Sequence, residues 1–413
     1  MKSKIIQFVR RYYNKIINSI AFYPAVIALV FLLVSYVMLT IDFSPLGRDL
    51  KSRWDFLTLK DASTARTIAA TIAAGILSLT VFSFSMVMIL LNQAASNMSN
   101  RVLDSMIGNR FQQWVLGFYI GTIVYALFLL STIRDIDSGV LVPALSVYLL
   151  ILFTVLDIFL FIYFLHYITQ SVKYETIINR IHRQTRQKLE QHCSLREIPT
   201  VPVPSFAQAQ ELKTLRSNYF QGFNQEGLLE LCAQHNWSIS FLYPVGTFLL
   251  EGVPFLKINA QGTIREEQEE QIRLLIDFYR GETNENNPYY GFKQLVEVAL
   301  KALSPGVNDP GTAVLSLHVL VDLLAFRLSN HALQVMKDKE GAVRIVTKAE
   351  SYKELFEKTL LPIWDYGKED RIIRTEMNEV LEQLRHHPSI LENKAIIEDL
   401  REKVRKKIWE NEE

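Results

Sequence analysis

Four long apolar runs constrain the fold of this chain more than any other feature of its sequence. They lie at about 21–41, 67–91, 114–132 and 142–168. A helix rises about 1.5 Å per residue, so each run of about 20 residues or more can cross ~30 Å of hydrocarbon. The acidic and basic side chains inside the runs are Asp157 and His166. The pattern predicts an integral membrane protein with four transmembrane helices.

Beyond the fourth run the chain is dense in Lys and Glu and is typical of a soluble protein. We expect a four-helix transmembrane domain at 1–170. The helix of span four is expected to continue to about His192 as a stalk whose narrow apolar seam packs on its symmetry mates, and a Pro-rich linker follows it within 171–205. Short strands at 206–262 resemble half of a lipoyl-type barrel-sandwich module, and 263–413 is mainly helical. The predicted fold class is a mainly α membrane protein with an α+β cytoplasmic domain.

Basic residues around the spans predict the orientation. No acidic residue lies among the first 19 residues. Five basic residues precede the first span, namely Lys2, Lys4, Arg10, Arg11 and Lys15. The segment after the fourth span is also basic, whereas the loop between spans one and two mixes both charges. Because positive residues favour the cytoplasmic side, we expect a multi-pass protein of the inner (cytoplasmic) membrane with both termini in the cytoplasm.

The composition predicts no catalytic chemistry. The net charge is +1, so we expect no nucleic-acid partner. Cys193 and Cys232 are expected to be free thiols in a reducing compartment. The sequence has no metal-binding spacing and no nucleotide-binding or hydrolase motif. We therefore expect no cofactor, no metal and no catalytic residue, and we do not expect an enzyme.

Span two differs from the others because small and polar residues recur along it. The stripe is Thr67, Thr71, Gly75, Ser78, Phe82, Ser85, Ile89, Asn92 and Ser96. Steps of three and four residues put these positions on one helical face. Lipid offers no hydrogen-bond partners, so this face is expected to meet protein or water. It could pack helices closely, or it could line a pore in which Phe82 and Ile89 are apolar constrictions.

Two further intramembrane side chains are candidates for function. Asp157 lies near the middle of span four and should face the bundle or a cavity, or be neutral. Its candidate partners are Ser or Thr hydroxyls or Tyr125, and a structural hydrogen bond and an ion or proton site are both open. His166 lies near the cytoplasmic interface, where anchoring is the simpler interpretation.

The cytoplasmic region contains one conspicuous turn, SPGVNDPG, between two apolar helices. Its candidate residues are Ser304, Gly306, Asn308 and Asp309. Gly306 suits a helix stop, and Asp309 suits an N-cap followed by proline at the first helical position. Local capping therefore explains the turn, although a helix N-terminus can also bind an anion.

Three stretches carry a resemblance to a known family. FSMVMILLNQAASNMSNRVL is similar to the family's F-S … A-S-S-Q-F-S-P-R-L-L, with departures at Asn97 and Asn100. IYFLHYITQSV resembles I-Y-F-I-H-H-I, with His166 at the first His. GFKQLVEVALKALSPGVNDPGTAV is the most specific, with Gly311 in place of an aromatic residue. The matched positions of the first stretch are Phe84, Ser85, Ala94, Ser96, Ser99, Arg101 and Leu103.

The chain thus resembles the bacterial predicted membrane proteins of the domain of unknown function 2254. The resemblance implies a membrane protein and supplies no activity. From the residues we expect a homo-oligomeric ion channel or permeation protein, with span two near the axis and a cytoplasmic assembly or gating domain. Its partners would be copies of itself, the lipid bilayer and inorganic ions. The alternative is a non-conducting scaffold or sensor whose cytoplasmic domain binds a partner or ligand.

Overall fold

The computed structural model describes residues 21–53, 59, 61–97, 110–133, 142–194, 203–279, 287–332, 334–389 and 391–410. The chain forms two compact units that adjoin in sequence between Lys173 and Tyr174. The first unit contains the N-terminal apolar helices, and the described strands all belong to the second.

Each predicted span coincides with a long helix. The first unit contains α1 (Phe22–Phe43), the short α2 (Pro45–Arg53), α3 (Ala62–Asn97), α4 (Arg110–Thr132) and α5 (Ala144–Ser171). A fifth helix in the described chain, Pro310–Ser329 of the second unit, is also long and apolar enough to cross a membrane. The predicted count of four spans is therefore not confirmed.

The fifth apolar helix differs from the other four in its surroundings. In its most apolar window 56% of residues are buried, against 11–44% in the others. Thr312, Ser316 and Arg327 are among its buried side chains. A helix that is covered by its own chain on most sides is typical of a protein core.

Two glycines let α1 and α4 approach closely. A Cβ added at Gly117 would lie 2.5 Å from Ile27 Cδ1, and one at Gly121 would lie 2.7 Å from Phe31 Cγ. Glycines four residues apart on one face of a membrane helix allow the neighbouring backbone to come near. This Gly-x-x-x-Gly pair therefore places the side chains of α1 directly on the α4 backbone.

The helix of span four is interrupted after Ser171. The sequence predicted one helix continuing to about His192, but α6 begins separately at Tyr174 and ends at His192. Val172 and Lys173 lie outside both helices, so the prediction of a continuous helix is wrong at this point.

Helix α6 packs within the second unit. Its apolar side chains Ile177, Ile181 and Leu189 are buried. Its neighbours are α9 (Tyr290–Ala302) and α10, which is the helix Pro310–Ser329. The apolar seam that the sequence assigned to a stalk packed on symmetry mates is thus covered by helices of the same chain.

The β-structure of the second unit extends beyond the predicted module. Its first half comprises β1 (Cys193–Ser194), β2 (Gln210–Lys213), β3 (Asn218–Phe223), α7 (Gln225–His235), β4 (Ser238–Phe241), β5 (Phe248–Leu249) and β6 (Pro254–Asn259). Then come α8 (Glu266–Leu274), β7 (Ile276–Tyr279), β8 (His331–Ala332), β9 (Val335–Lys337) and β10 (Val343–Val346). The sheets have the orders β2-β6-β4-β10-β9, β5-β3-β7 and β1-β8.

One pairing in the five-stranded sheet joins strands that are far apart in the sequence. Strand β10 pairs in parallel with β4, with Ile345 opposite Ile239. Both side chains lie in one apolar core with Trp237 and Phe255. The predicted module at 206–262 is therefore not self-contained, because a central strand of its sheet comes from about 100 residues later in the chain.

Three α-helices and a 3₁₀ turn complete the described part of the second unit: α11 (Tyr352–Gly367), α12 (Arg371–Arg385), the 3₁₀ turn (Leu391–Asn393) and α13 (Lys394–Glu410). Ser351 and Glu354 form a capping box at the start of α11, with Glu354 N donating to Ser351 Oγ at 3.2 Å. The Asp370 carboxylate accepts from two backbone amides at the start of α12. Such caps satisfy amides that have no partner inside the helix.

Candidate functional site

The predicted polar stripe of span two lies on the uncovered face of α3. Its described side chains are all exposed in the single chain: Thr67, Thr71, Ser78, Phe82, Ser85, Ile89 and Asn92, with Gly75 exposed between them. Phe82 and Ile89 expose 53% and 63% of their surface. The side chain of Ser96 lies outside the described part of the structure. The first unit therefore leaves the stripe open.

The opposite face of α3 packs against the other spans. Its buried residues are Ala62, Ala65, Ala69, Ala73, Ile76 and Ser83. They recur at steps of three, four or seven residues, as one face of a helix requires. The alanines join a core with Tyr125, Ala126 and Val147. Only 11% of the most apolar window of α3 is buried, less than in any other candidate span of the described chain.

Some hydroxyls on α3 bond to their own helix. Thr67 Oγ1 donates to the Ser63 carbonyl at 2.9 Å, and Ser78 Oγ donates to the Ala74 carbonyl at 3.0 Å. Such bonds satisfy a hydroxyl donor without a second helix. The hydroxyl oxygens still present lone pairs on the exposed face, where another chain or water could use them.

Asp157 lies at the middle of α5 and is fully buried. The Thr122 hydroxyl of α4 lies beside its carboxylate, and Tyr119, one turn earlier on α4, lies near it. Ser83 of α3 lies beside the Tyr119 hydroxyl. Residues from three spans therefore form one buried polar cluster, which we call the Asp157 cluster.

The Asp157 cluster has unsatisfied hydrogen-bonding capacity. Within the described residues, neither carboxylate oxygen of Asp157 has a hydrogen-bond partner of good geometry. The same holds there for the hydroxyls of Thr122, Tyr119 and Ser83. Buried polar atoms in proteins are nearly always paired, so each exception calls for an explanation.

The structure does not bring His166 or Tyr125 into this cluster. His166 is exposed, and its backbone carbonyl accepts from Thr169 Oγ1 at 2.8 Å. Tyr125, a predicted candidate partner of Asp157, instead donates to the Ser146 carbonyl at 3.1 Å. The sequence also offered Ser or Thr hydroxyls as partners of Asp157, and the neighbour observed is the Thr122 hydroxyl.

A buried ion pair was missed by reasoning from the sequence. Lys51 Nζ lies 3.2 Å from Asp42 Oδ1. Asp42 also accepts from Ser146 N at 2.8 Å, Ser146 Oγ at 2.6 Å and Leu145 N at 3.2 Å. It therefore caps the N-terminus of α5, about 100 residues away in the sequence. In the sequence both charges look like ordinary loop residues at the end of an apolar run.

The SPGVNDPG turn has a local structural role. Asp309 caps α10, with Thr312 N donating to Asp309 Oδ1 at 3.1 Å, and Pro310 occupies the first helical position, which confirms that prediction. The helix α9 stops at Ala302, and the residue with positive φ is Asn308, at 50°, rather than Gly306. Ser304 Oγ donates to the Lys301 carbonyl at 2.6 Å. Gly306 is therefore not the helix-stop residue.

A buried arginine forms a second polar centre in the second unit. Arg327 donates to the backbone carbonyls of Asn330 and Glu350. Burial raises the pKa of Tyr289 to about 12, although the nearby Arg327 charge opposes that shift. Burial likewise raises the pKa of the Cys193 thiol, and the nearby Arg327 charge opposes that shift. In the described chain no group of three or more His, Cys, Asp or Glu side chains could hold a metal ion.

Comparison with known sequences places the chain in a family. The family model described as "Predicted membrane protein (DUF2254)" matches residues 17–383. The chain belongs to this family. The resemblance in the three motifs is thereby confirmed, and with it the coarser prediction of a multi-pass membrane protein.

Mycobacterial relatives are similar over most of the chain. The uncharacterized protein Mb1321c of Mycobacterium bovis and the uncharacterized protein Rv1290c of Mycobacterium tuberculosis are each 25% identical over 329 residues. The match covers 77% of this chain and 63% of each relative. No solved structure matches.

Proposed function

We propose that this protein is a homo-oligomeric ion channel or permeation protein of the bacterial inner membrane, with α3 nearest the oligomer axis. The observation that carries the proposal is the exposed polar stripe of α3. Hydrocarbon offers no partner to the oxygen lone pairs of Thr71, Ser78 and Ser85. A second copy of the chain, or water held between copies, accommodates that face better than lipid does.

The proposal places α1, α3, α4 and α5 in the bilayer and keeps α10 in the cytoplasmic domain. Burial of Thr312, Ser316 and Arg327 by the second unit supports this choice. The basic residues that precede the first span and follow the fourth support cytoplasmic termini. The second unit would then serve assembly or gating on the cytoplasmic side.

Two apolar rings would control permeation in such an oligomer. Phe82 and Ile89 lie on the stripe between the polar positions and are exposed in the single chain. Repeated around an axis, they would form two constrictions of the kind that close by losing water. Ser85 lies between them in sequence. Inorganic ions are the expected permeants.

Cysteine cross-linking in native membranes tests the assembly. Ser78→Cys and Ser85→Cys place thiols on the stripe, and Phe159→Cys and Ile162→Cys place matched thiols on the exposed surface of α5. The native thiols Cys193 and Cys232 are buried and contribute little background. We expect covalent dimers at the stripe positions and few at the α5 positions. Equal yields at the two surfaces would contradict α3 as the contact.

Ion flux into liposomes tests the activity. The full chain is reconstituted, and flux of common cations and anions is measured with and without voltage or osmotic pressure. Flux above that of empty vesicles, lowered by Ser85→Trp on the stripe and unchanged by Ile162→Trp on α5, is the expected result. Flux equal to that of empty vesicles under all these conditions refutes a permeation function.

The second candidate is a non-conducting scaffold or sensor. The hydroxyls of Thr67 and Ser78 favour it, because they bond back to their own helix and can pack against a neighbour without water. The combination of stripe cross-linking with no flux supports this alternative. In that case the second unit would be the part of the protein that binds a ligand or partner.

A further inference from the structure

We infer that the Asp157 cluster is a binding site for a small monovalent cation, such as Na⁺, which exchanges with a proton inside a single chain. The inference goes beyond the proposed permeation path, because that path lies between copies on the exposed face of α3. Asp157 instead faces the interior, where Thr122 lies beside its carboxylate and Tyr119 lies near it. Ser83 lies beside the Tyr119 hydroxyl.

The ligand set consists of oxygen atoms. Two carboxylate oxygens of Asp157 and the hydroxyls of Thr122, Tyr119 and Ser83 are all buried, and none has a hydrogen-bond partner of good geometry in the described chain. Carboxylate and hydroxyl oxygens are ligands that hard cations prefer, whereas soft metals prefer sulfur and nitrogen. Helices α3, α4 and α5 each contribute to the set, so the site exists only in the folded bundle.

The charge balance selects a monovalent ion. The apolar runs 67–91, 114–132 and 142–168 contain no Lys or Arg, so they supply no counter-charge to Asp157. A lone carboxylate within hydrocarbon is unfavourable by about 2.5–3.5 kcal/mol on insertion scales. One monovalent cation or one proton makes the cluster neutral, while a divalent ion would leave an uncompensated positive charge.

Apolar side chains surround the cluster and exclude bulk water. Tyr119 packs with Ile76, Val115 and Phe164, which are all buried. Among the described residues, the other titratable group near Asp157 is the Tyr119 phenol of α4, and the contribution of α3 to the cluster is the Ser83 hydroxyl. Asp157 is the carboxylate of this cluster, so proton and cation compete for it, whereas the buried Asp42 is paired with Lys51.

A carbodiimide experiment tests the site in the full-length protein. Apolar carbodiimides add the protonated carboxyl group of a membrane-embedded acid across a C=N bond, so that the labelled peptide identifies the residue. We expect labelling of Asp157 in choline buffer, a rate about tenfold lower at Na⁺ about tenfold above its Kd, and no label at this position in Asp157→Asn. A labelling rate that is independent of Na⁺ would overturn the site.

Thermal unfolding is a second test, which does not depend on access of the carbodiimide to Asp157. Na⁺ in place of choline should raise the Tm of the purified full chain, because it binds only the folded bundle. Asp157→Asn and Thr122→Val should lose that rise. Thr132→Val is the matched control, since Thr132 lies ten residues further along α4 and bonds to its own helix. An equal Na⁺ effect in all variants, or none in the wild type, refutes the inference.

Discussion

Lys51 Nζ lies 3.2 Å from Asp42 Oδ1, and both side chains are buried in the first unit. Lys51 also donates to the Asp42 and Val142 carbonyls, at 2.9 Å and 3.4 Å. The pair joins the end of α1 and the helix α2 to the start of α5. A buried pair of this kind is costly to break, because the remaining charge keeps no counter-ion.

Asp42→Asn is therefore expected to destabilise the protein by about 3–5 kcal/mol, since it leaves the Lys51 ammonium buried without its counter-charge. The double variant Asp42→Asn with Lys51→Met should recover part of that loss. The measurement is the unfolding midpoint in detergent for both single variants and the double variant, read as a double-mutant cycle. Strictly additive losses would mean that the two charges do not interact.

Gly121→Val is expected to loosen the packing of α1 on α4. A Cβ at this position would lie 2.7 Å from the ring atom Phe31 Cγ, which cannot move without displacing the whole side chain. Overpacking of this kind costs about 1–3 kcal/mol. Unfolding of the purified protein should show the loss, whereas Gly306→Ala should leave stability near the wild-type value. The reason is that nothing lies within 4 Å of a Cβ at Gly306, and this residue lies off the α3 stripe.

Phe82→Ser and Ile89→Ser are expected to raise ion flux in liposomes if the proposed pore is correct. A hydroxyl in place of an apolar side chain holds water in a constriction that would otherwise be dry. Phe159→Ser on α5 is the control, because Phe159 is similarly exposed but lies off the stripe. Flux that rises equally in the control would indicate a general leak rather than a gate.

Stability is expected to fall as the pH rises above about 8.5, in part because of Cys232. Burial is the largest cause of the shift and raises the pKa of this thiol to about 12. Above about 8.5 the unfolded chain loses the thiol proton while the folded chain keeps it, so unfolding is favoured by up to about 1.4 kcal/mol per pH unit. Below that pH both states keep the proton and the thiol has no effect.

Unfolding midpoints at pH 8 and at pH 10 should therefore differ less in Cys232→Ala than in the wild type. An identical pH dependence in the two proteins would show that Cys232 does not hold its proton in the folded state. Alkylation provides a second check, since the buried thiol should react only after unfolding.

Reasoning from the sequence succeeded where the signal is local. Long apolar runs predicted the helices, because a chain in hydrocarbon must satisfy its backbone hydrogen bonds within the segment. Asp309 and Pro310 predicted the start of α10 because a cap depends on three or four successive residues. The spacing of the span-two stripe predicted one continuous face, and that face is the exposed one.

The same reasoning failed where distant segments meet. Nothing near Asp42 in the sequence points to Ser146, and nothing near Ile239 points to the parallel partner Ile345. The break after Ser171 was hidden, because apolar and amphipathic patterns follow one another there without a proline or glycine. Five candidate spans, rather than four, also show that length and apolar composition alone do not give the number of membrane helices.

Local patterns thus established the helical, membrane-embedded character of the chain and the polar face of span two, because hydrophobicity and helical period act on neighbouring residues. Tertiary packing determined which polar groups meet: Asp42 with Lys51, and Asp157 with Thr122 and Tyr119. It also determined that the α3 stripe faces away from its own bundle. The physical reason is that burial and pairing of a charge depend on the side chains packed around it, and those come from helices far apart in the sequence.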